Sequence, residues 1–321
     1  MKICAIIAEY NPFHNGHKYQ IEEAKRITNS DSVVAIMSGN FVQRGEPACF
    51  DKFTRAKLAI QNGIDIVFEL STLYATSSSE YFATGAISTL NNLNAISSVS
   101  FGVESHDLEL LKRISNILIE EPNAYTQKLK AELNKGQAFP VSRSIALKDF
   151  LKNQYNPKDI EELLLDPNNI LAIEYLKALS QTKSSIEPVP IKRIGTSYNS
   201  LEINNNIASS SAIRELFKNK KYDLLKSVVP ENVYQSIKQL IDEGYNPMTL
   251  DNYEKEILFT LRNMNPYSIS QLPDVKEGLE NAILRALETS YNIDDLIENI
   301  KSKRYTRTRI QRILIHSLLR D

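Results

Sequence analysis

Two histidines, His14 and His17, lie three residues apart around Gly16, directly after the first hydrophobic run of the chain. That run, residues 3–8, is predicted to be a buried strand, and apolar residues at helical spacing after Gly16 predict an amphipathic helix. The histidines therefore fall on a strand-to-helix turn, where free backbone N–H groups and the helix dipole favour an anion. Imidazoles added at that turn indicate a site for phosphate groups, although a capped turn with surface histidines would have the same sequence.

A second, serine-rich segment has the composition of another phosphate-binding helix N-terminus. Residues 207–214 read Ile-Ala-Ser-Ser-Ser-Ala-Ile-Arg, and a helix is predicted near 209–218. Ser209, Ser210 or Ser211 can cap this helix, depending on where it begins. A serine-rich cap is common on its own, but its position after the histidine motif indicates two helix N-termini aimed at phosphate groups.

A glycine-containing loop, residues 38–47, follows the second predicted strand. It is either a flexible connection or a wall of the site, with Arg44 available to an anion. Asp51, Lys52 and Arg55 follow at the start of the next predicted helix. Either Asp51 is a simple N-cap and the two basic residues form a solvated face, or the three residues belong to the site.

Further candidates follow predicted strands or open a predicted helix. Gly102 follows the fourth strand, where a glycine allows a base or ribose to approach the backbone. Arg193 follows the last strand, at the same edge of the sheet. Asn168 and Asn169 open a helix, and they either cap it or face the ligand.

Composition excludes several classes of protein. The chain has 321 residues, enough for two domains and a sizeable core. Its 38 basic and 39 acidic residues balance, so binding of nucleic acid would require a local surface. Cys4 and Cys49 have no metal-ligand spacing and indicate no disulfide framework. The N-terminus is a predicted core strand rather than a signal peptide, and no apolar run approaches the roughly 20 residues that span a bilayer, so we expect a cytoplasmic protein without membrane contact.

The first hundred residues alternate between predicted strands and helices. Strands are expected at 2–8, 32–37, 64–70 and 97–101. Helices are expected at 16–28, 51–62, 78–92 and 106–120. Near-continuous apolar strands between helices predict an α/β fold with a Rossmann-like, doubly wound parallel sheet. Such sheets bind ligands beyond the carboxyl ends of their strands, so one crevice should receive the loops 9–16, 38–50 and 102–105.

The rest of the chain is predicted to be mainly helical. Residues 121–185 should be helical, and 186–191 should form the last strand of the sheet. From about 222 onwards, helices are expected at 231–243, 252–262, 277–290, 293–301 and 306–319. The chain is therefore predicted to have a Rossmann-like catalytic domain over 1–220 and an all-helical domain over 221–321.

One basic cluster lies around the last predicted helix. Residues 301–321 hold seven Lys or Arg residues against one acid, Asp321. The tyrosine of this cluster is available for stacking on a base, and the cations can meet a phosphate backbone. The candidate contacts are Lys303, Arg304, Tyr305, Arg307, Arg309 and Arg312. The alternative is a charged C-terminal helix whose apolar face packs on the protein.

Longer stretches of the chain resemble a known family. The run from Ala8 to His17 and the segments 38–47, 51–59, 168–171 and 303–306 are similar to those of the tRNA(Met) cytidine acetate ligase family. That family belongs to the nucleotidylyl transferase superfamily, whose His-x-Gly-His and serine-rich signatures the two motifs above resemble. The resemblance spans nearly the whole chain. Two departures are Ser71, where proline is expected, and Ser211, where the superfamily often has threonine.

The resemblance implies an ATP site in which His14 and His17 are the catalytic donors to the phosphates. Gly16 is expected there because a side chain would obstruct the nucleotide. Carried over by matching motif, the implied ATP contacts are Ile7, Ala8, Glu9, Tyr10, Asn11, Pro12, Phe13, His14, Asn15, Gly16, His17, Lys18, Tyr19, Gln20, Gly102, Asn168, Arg193, Ser210 and Ser211.

The implied reaction joins acetate to ATP as acetyl-adenylate and then acetylates the wobble cytidine of elongator tRNA(Met). ATP and Mg²⁺ are the expected cofactors, with phosphates and waters as most of the metal's ligands and no protein residue assigned as a metal ligand. The helical domain and basic tail would hold the anticodon stem-loop. Two other readings stay open, an adenylyltransferase for a small phosphorylated metabolite and a non-catalytic nucleotide-binding regulator. The acetate-binding residues, the base that deprotonates the cytidine amine and the oligomeric state are also left open.

Overall fold

A five-stranded parallel sheet forms the centre of the N-terminal part of the computed structural model. The structure describes residues 1–104, 107–194, 206–276 and 278–319. Its strands are β1 (Ile3–Ala8), β2 (Ser32–Ser38), β3 (Phe41–Val42), β4 (Glu46–Pro47), β5 (Ile66–Leu70), β6 (Ser98–Val103) and β7 (Glu187–Lys192). The sheet has the order β5-β2-β1-β6-β7, and β3 and β4 form a separate antiparallel hairpin. The winding reverses between β1 and β6, which is where such sheets open a crevice at the carboxyl ends of their strands.

Helices cover both faces of the sheet and make up the C-terminal part. They are α1 (Asn15–Thr28), α2 (Lys52–Ile60), α3 (Thr72–Ala75), α4 (Ser79–Leu93), α5 (Leu108–Glu120), α6 (Asn123–Asn134), α7 (Phe139–Leu151), α8 (Pro157–Leu165), α9 (Pro167–Gln181), α10 (Ser210–Lys218), α11 (Glu231–Asp242), α12 (Glu254–Arg262), α13 (Pro266–Ser270), α14 (Leu279–Thr289), α15 (Ile293–Ile300) and α16 (Arg307–Leu318). Two 3-10 helices span Tyr222–Ser227 and Leu250–Tyr253. Within the described ranges, no helix combines the length and apolar character needed to cross a bilayer.

The alternation of side chains along β1 shows how the two faces are filled. Ala5 and Ile7 lie in a core with α4, α5 and α9, whereas Cys4 and Ile6 lie in a second core with α1, α2 and α10. Successive residues of a strand point to opposite faces of the sheet, so a strand covered on both sides is apolar throughout. The predicted Rossmann-like, doubly wound α/β fold is confirmed.

The helical C-terminal part has a separate hydrophobic core, whose buried residues run from Leu250 to Ile315 and include Phe41 of the β3–β4 hairpin. Helix α11 is not part of it, because Val233 and Ile237 pack in the core that faces the sheet. The packing therefore changes partners between α11 and Leu250, later than the predicted boundary at 220/221. The predicted boundary follows the change to purely helical periodicity at about 222, whereas Val233 and Ile237 of α11 still pack in the core that faces the sheet.

The structure also corrects several predicted elements. The 38–50 loop contains the hairpin of β3 and β4, whose two-residue strands are too short to leave a periodic pattern. Strand β6 continues to Val103, so Gly102 lies within the strand rather than after it. Some predicted elements reach beyond the described residues. These are the loop 102–105 at residue 105, the helix 106–120 at residue 106 and the helix 277–290 at residue 277. Residues 320 and 321 of the tail also lie outside the described residues.

Candidate active site

A cavity opens at the carboxyl ends of β1 and β6, where two of the predicted loops and Gly102 meet. Its walls come from those strand ends, from the β3–β4 hairpin and from the first turns of α1, α9 and α10. A smaller cavity adjoins it beside the end of β7. Residues that line both cavities are His14, His17, Gln20, Gly102, Arg193 and Ser209.

Both histidines cap the N-terminus of α1, and this assigns the ring nitrogen that carries the proton. The backbone N–H of Gly16 donates to Nδ1 of His14 over 3.1 Å, and the N–H of His14 donates to Nδ1 of His17 over 3.3 Å. Because Nδ1 accepts in both rings, each neutral imidazole carries its proton on Nε2. Nε2 of His14 donates to Oγ of Ser210 over 3.0 Å, and Nε2 of His17 has no partner among the described residues.

Both imidazoles are uncharged near neutral pH. Burial lowers the pKa of His14 to about 3, with help from the positive charges of Arg193 and Arg214. Burial also lowers the pKa of His17 well below its ordinary value, and His14 and Arg193 add to the effect. The histidines therefore act on an anion as N–H donors, and the positive charge of the cavity comes from arginines.

Gly16 is required by the histidine turn itself. The two rings stack with centroids 3.7 Å apart and planes inclined by 22°. A Cβ at position 16 would lie 2.9 Å from Cε1 and 3.1 Å from Nδ1 of His14. The His14 ring is thus a reason for the glycine besides the predicted obstruction of a nucleotide, which stays a prediction.

The serine-rich segment supplies the N-terminus of α10. Ser209 is the cap, because its Oγ accepts from the backbone N–H of Ala212 over 3.1 Å and shares a hydrogen bond with Oγ of Ser211 over 2.9 Å. Ser210 follows it and contacts the ring of His14. The N-termini of α1 and α10 therefore meet at the cavity, although 196 residues separate this pair in the chain.

Two arginines bring positive charge to the cavity from different elements. Arg214, in the second turn of α10, donates to the carbonyl of Asn11 over 3.0 Å. Arg193 follows β7, and its Nε donates to Oε1 of Glu104 over 2.8 Å. A Cβ at Gly102 would lie 3.1 Å from Cγ of Arg193, so the glycine leaves room for this arginine stem.

Glu104 is a positioning residue that sequence reasoning missed. Besides Arg193, its carboxylate accepts from Nδ2 of Asn168 over 3.4 Å, and its backbone N–H donates to Oδ1 of Asn169 over 3.1 Å. Asp166 caps α9, because its carboxylate accepts from the backbone N–H groups of Asn168 and Asn169. Of the two alternatives for these asparagines, capping of α9 is therefore wrong. The available signal was an acidic residue just beyond a strand end, on the ligand side of the sheet.

A fully buried arginine ties together the loops at the carboxyl ends of β1 and β2. The guanidinium of Arg55 donates to the carbonyl oxygens of Glu9, Ser38, Gly39 and Phe50. Its exposure is 0%, and burial lowers its pKa. The interpretation of Arg55 as part of a solvated face was wrong, because helix periodicity cannot show what covers a residue.

The two neighbours of Arg55 fit the simpler alternative. Asp51 caps α2 by accepting from the N–H groups of Phe53 and Thr54 over 2.8 and 3.0 Å. Lys52 forms an ion pair with Glu69, with Nζ and Oε2 2.6 Å apart, and both side chains are partly exposed.

The wall of the larger cavity beside the hairpin differs from the phosphate-binding side. Glu9 lies at the end of β1, and its Oε1 accepts from the backbone N–H of Gln43 over 2.9 Å. Arg44, Phe82 and Tyr175 line the same cavity. Burial and the negative charge of Glu9 raise the pKa of Tyr175. Phe82 and Tyr175 lie inside helices with no motif around them, so sequence alone had no signal for them.

Most of the predicted ATP contacts line one or both cavities. These are Ile7, Ala8, Glu9, Tyr10, His14, Gly16, His17, Tyr19, Gln20, Gly102, Asn168, Arg193, Ser210 and Ser211. The predicted contacts that line neither cavity are Asn11, Pro12, Phe13, Asn15 and Lys18. Asn11 accepts from the N–H of Cys49 over 2.7 Å, Phe13 packs in the core, and the Asn15 amide donates to two backbone carbonyls. These side chains shape the turn, while Lys18 is exposed outside it.

The basic tail is partly engaged within the protein. Arg312 is only 8% exposed, and its Nε lies 2.8 Å from Oδ2 of Asp274. Arg309 donates to the carbonyl of Asp274, and its guanidinium lies 5.3 Å from the ring centroid of Tyr305. The prediction of Arg312 as an RNA contact is therefore corrected, because the packing of α16 covers it.

The remaining cations of the tail differ in their surroundings. Arg307 is exposed but forms ion pairs with Asp294 and Glu298 of α15. Lys303 and Arg304 are exposed in the turn before α16. The part of the tail that could meet a phosphate backbone is therefore centred on this turn.

Comparison with known proteins shows the same architecture in a defined family. A family model described as HIGH Nucleotidyl Transferase matches residues 1–320. The tRNA(Met) cytidine acetate ligase of Clostridium kluyveri is 45% identical over 325 residues, covering 99% of this chain and 79% of that one. The protein of the same name from Clostridium tetani is 45% identical over 320 residues, covering 98% and 78%.

Solved structures give the same result. The crystal structure of Thermotoga maritima TmcAL bound with alpha-thio ATP superimposes with a TM-score of 0.91 at 35% identity, covering 99% of this chain and 75% of that one. The apo structure of the same protein gives a TM-score of 0.94 at the same coverage. Each likeness extends over the sheet and the C-terminal helices together.

Proposed function

Because the chain belongs to the HIGH nucleotidyl transferase family, and within it to the tRNA(Met) cytidine acetate ligases, we propose that it acetylates tRNA with ATP and acetate. Acetate and ATP first give acetyl-adenylate and pyrophosphate. The acetyl group then passes to the exocyclic amine of the wobble cytidine of elongator tRNA(Met), giving N(4)-acetylcytidine. The observation that carries the proposal is the meeting of two helix N-termini and two neutral N–H donor histidines in one cavity.

The two cavities suggest how ATP lies. The smaller cavity includes the apolar side chains of Ile191, Ile207 and Ala208, which suit a flat base. The larger cavity alone is lined by Arg44 and Arg214 and by Ser210 and Ser211 at the N-terminus of α10, which suit phosphates. His14 and His17 line both, so the α-phosphate would lie beside them with the base on one side and the leaving pyrophosphate on the other.

In the first step, an acetate oxygen attacks the α-phosphorus, and the bond to pyrophosphate breaks. The Nε2–H of His17 points at no protein acceptor among the described residues, so it is available to an α-phosphate oxygen. Arg193 and Arg214 offset the charge that develops on pyrophosphate. Alignment of the bound reactants supplies roughly 7–11 kcal/mol, and each well-placed donor to developing charge about 3 kcal/mol.

The expected Mg²⁺ has no protein cage here. The described residues include no group of three or more His, Cys, Asp or Glu side chains that could hold a metal ion. We propose that Mg²⁺ arrives with ATP and keeps phosphates and waters as most of its ligands. We therefore assign no step of the chemistry to a protein-bound metal.

In the second step, the cytidine leaves its stack to reach the acyl carbon, as a base must when chemistry occurs on it. We infer that Lys303 and Arg304 contact the phosphate backbone of the anticodon stem-loop and that Tyr305 lies near a base. The C-terminal helices would hold that stem-loop against the hairpin side of the cavity, since α16 packs on the hairpin. The cytoplasm, where tRNA is modified and used, is the setting that this function implies.

The experiment that tests the proposal is transfer of labelled acetate to bulk bacterial tRNA by the purified chain with ATP and Mg²⁺. We expect the label in N(4)-acetylcytidine, and only when ATP is present. A folded protein that binds ATP but leaves RNA unlabelled would contradict the proposal. Release of pyrophosphate with small phosphorylated metabolites would then identify an adenylyltransferase, and binding without turnover a regulator.

A further inference from the structure

A single carboxylate lies in a site otherwise suited to anions. Among the described residues that line the two cavities, Glu9 is the only aspartate or glutamate. Beside ATP and acetate, both negative, this side chain weakens binding through like-charge repulsion. The N–H of Gln43 and the nearby arginines hold this carboxylate in place, and a hydrogen-bond donor on a third reactant would complement it.

The geometry of Glu9 leaves half of the carboxylate available. Oε1 accepts from the backbone N–H of Gln43, whereas Oε2 has no hydrogen-bond partner among the described residues. The backbone carbonyl of Glu9 accepts from buried Arg55, so the residue is held at the end of β1 from two directions. A fixed oxygen with an open lone pair is suited to accept a proton from a bound substrate.

The other titratable groups of the cavity are poor proton acceptors. Nδ1 of His14 and of His17 already accepts a backbone N–H, and their Nε2 atoms carry the protons. The arginines are protonated, and burial raises the pKa values of Tyr10 and Tyr175, which keeps both phenols neutral. Among the side chains that line the cavity, Glu9 is therefore the one suited to accept a proton in the second step.

We propose that Glu9 is a catalytic residue of acetyl transfer, whose Oε2 accepts the exocyclic N–H of the target cytidine and then takes its proton. This rests on the proposed function. The amine nitrogen attacks the acyl carbon, the C–N bond forms, and the bond between that carbon and the phosphate oxygen breaks. The electron pair leaves with AMP, the proton of the nitrogen moves to Glu9, and Glu9 later releases it to water.

The same contact explains a choice of base. The exocyclic amine of cytosine is a hydrogen-bond donor, and Glu or Asp is its usual side-chain acceptor. Uracil carries a carbonyl oxygen at that position, which would face the carboxylate as a second acceptor. Burial raises the pKa of Glu9, while the Gln43 N–H and the charges of Arg214, Arg44 and Arg55 oppose the rise, so the ionised form is a stronger base than an exposed carboxylate.

The test compares Glu9→Gln with the unsubstituted chain and follows the two steps separately. Glutamine keeps a carbonyl oxygen for the N–H of Gln43, so the loop retains its hydrogen bond and the proton acceptor is lost. Acetyl-adenylate is trapped with hydroxylamine as acetohydroxamate, since this small amine needs no protein base. Transfer is measured as labelled acetyl groups on tRNA cytidine.

We expect the variant to transfer acetyl groups about 10²–10⁴-fold more slowly, while hydroxylamine trapping changes by less than about tenfold. The matched control is Glu22→Gln, an exposed glutamate on α1 outside both cavities, which should change neither readout. Unchanged transfer, or an equal loss of trapping and transfer, would overturn the role. If the unsubstituted chain gives acetohydroxamate but never labels tRNA, the proposed function fails first and the role of Glu9 with it.

Discussion

At the scale of single residues, the histidine turn combines structure and chemistry in four positions. His14 and His17 each accept a backbone N–H on Nδ1, which caps α1 and leaves Nε2–H as the donor. Burial lowers the pKa values of both imidazoles and keeps them neutral. The histidines therefore bind phosphates by hydrogen bonds, and the positive charge comes from the arginines. In each imidazole, Nδ1 therefore caps the helix, and Nε2–H on the other side of the ring is the hydrogen-bond donor.

Substitutions at His17 should separate the two edges. Asparagine places an acceptor near the position of Nδ1 and no donor at Nε2, so His17→Asn should keep the cap and lose the contact to phosphate. We expect acetyl-adenylate formation to fall about 10²–10³-fold with little change in thermal stability. Glutamine restores a donor near Nε2, so His17→Gln is the matched variant and should retain more activity. Equal activities of the two variants would contradict the donor role.

The neutral histidines should also make stability depend on pH. The pKa of His14 is about 3 in the folded protein and about 6.5 in an unfolded chain, so below neutrality the unfolded state binds the extra proton. Stability therefore falls as pH drops through 6.5, by about 1.4 kcal/mol for His14 between pH 7.5 and 5.5. Urea unfolding of His14→Asn at both pH values should show a pH-dependent loss smaller by that amount. A loss as large as in the unsubstituted chain would contradict the assignment.

At the scale of elements, loops at strand ends are held by side chains from neighbouring elements. Arg55 of α2 collects four carbonyl oxygens from the ends of β1 and β2 and from the residues before α2. The hairpin that carries Gln43 and Arg44 is in turn packed against α16. The positions of the cavity walls therefore depend on the hydrogen bonds of Arg55 and on the packing of the hairpin against α16.

Loss of the Arg55 contacts should loosen the site and the fold together. Arg55→Met leaves four buried carbonyls without this donor, and we expect a destabilisation on the order of 3–5 kcal/mol together with weaker ATP binding. Lys52→Met is the matched control on the same helix, because its partly exposed ion pair contributes less than about 1 kcal/mol. Chemical unfolding and ATP titration measure both effects. Equal destabilisation by the two variants would rule out the clamp.

The contact between the hairpin and α16 can be tested at Gly45. A Cβ there would lie 2.2 Å from the backbone N of Arg312, and the residue has φ 75°. Gly136 has nearly the same φ, 79°, but nothing within 4 Å of the added carbon. Gly136→Ala should therefore lower the free energy of unfolding by about 1–2 kcal/mol, because alanine disfavours this backbone conformation. Gly45→Ala should lower it by clearly more, because the added carbon also clashes with α16. If urea unfolding gave similar decreases in the free energy of unfolding for both variants, the hairpin would be able to move away from α16, and the tight contact would be ruled out.

At the scale of the whole molecule, charge is balanced overall but not evenly distributed. Some of the C-terminal cations form ion pairs or lie buried against Asp274, Asp294 and Glu298. Lys303 and Arg304 lie exposed in the turn before α16, whose packing on the hairpin connects this surface to the cavity. A stem-loop bound there would be close to the element that carries Arg44.

Removal of these two charges should weaken tRNA binding and its salt dependence. For Lys303→Ala combined with Arg304→Ala, we expect the slope of log K against log salt to fall by about 1–2, with acetyl-adenylate trapping unchanged. Lys130→Ala combined with Lys158→Ala removes the same charge from exposed positions on α6 and α8 and should leave the slope unchanged. Equal slopes for the two double variants would place the RNA surface elsewhere.

The sequence by itself determined the features whose causes lie within a few residues. Strands and helices follow from apolar periodicity, the cap at Asp51 follows from a side chain beside the backbone it serves, and the histidine turn spans only four residues. The fold class could be predicted because apolar strands alternating with helices leave few arrangements that bury both faces of a sheet.

Only the tertiary structure decided what covers each charged side chain and which distant residues meet. The pairs His14 with Ser210 and Glu104 with Arg193 are separated by 196 and 89 residues, and the burial of Arg55 and Arg312 depends on elements that pack over them. Periodicity shows which face of a helix is apolar, but it carries no information about the element on the other side. The element that packs over a side chain sets its burial. Burial in turn decides whether the histidines are protonated and whether each Lys or Arg can contact a ligand.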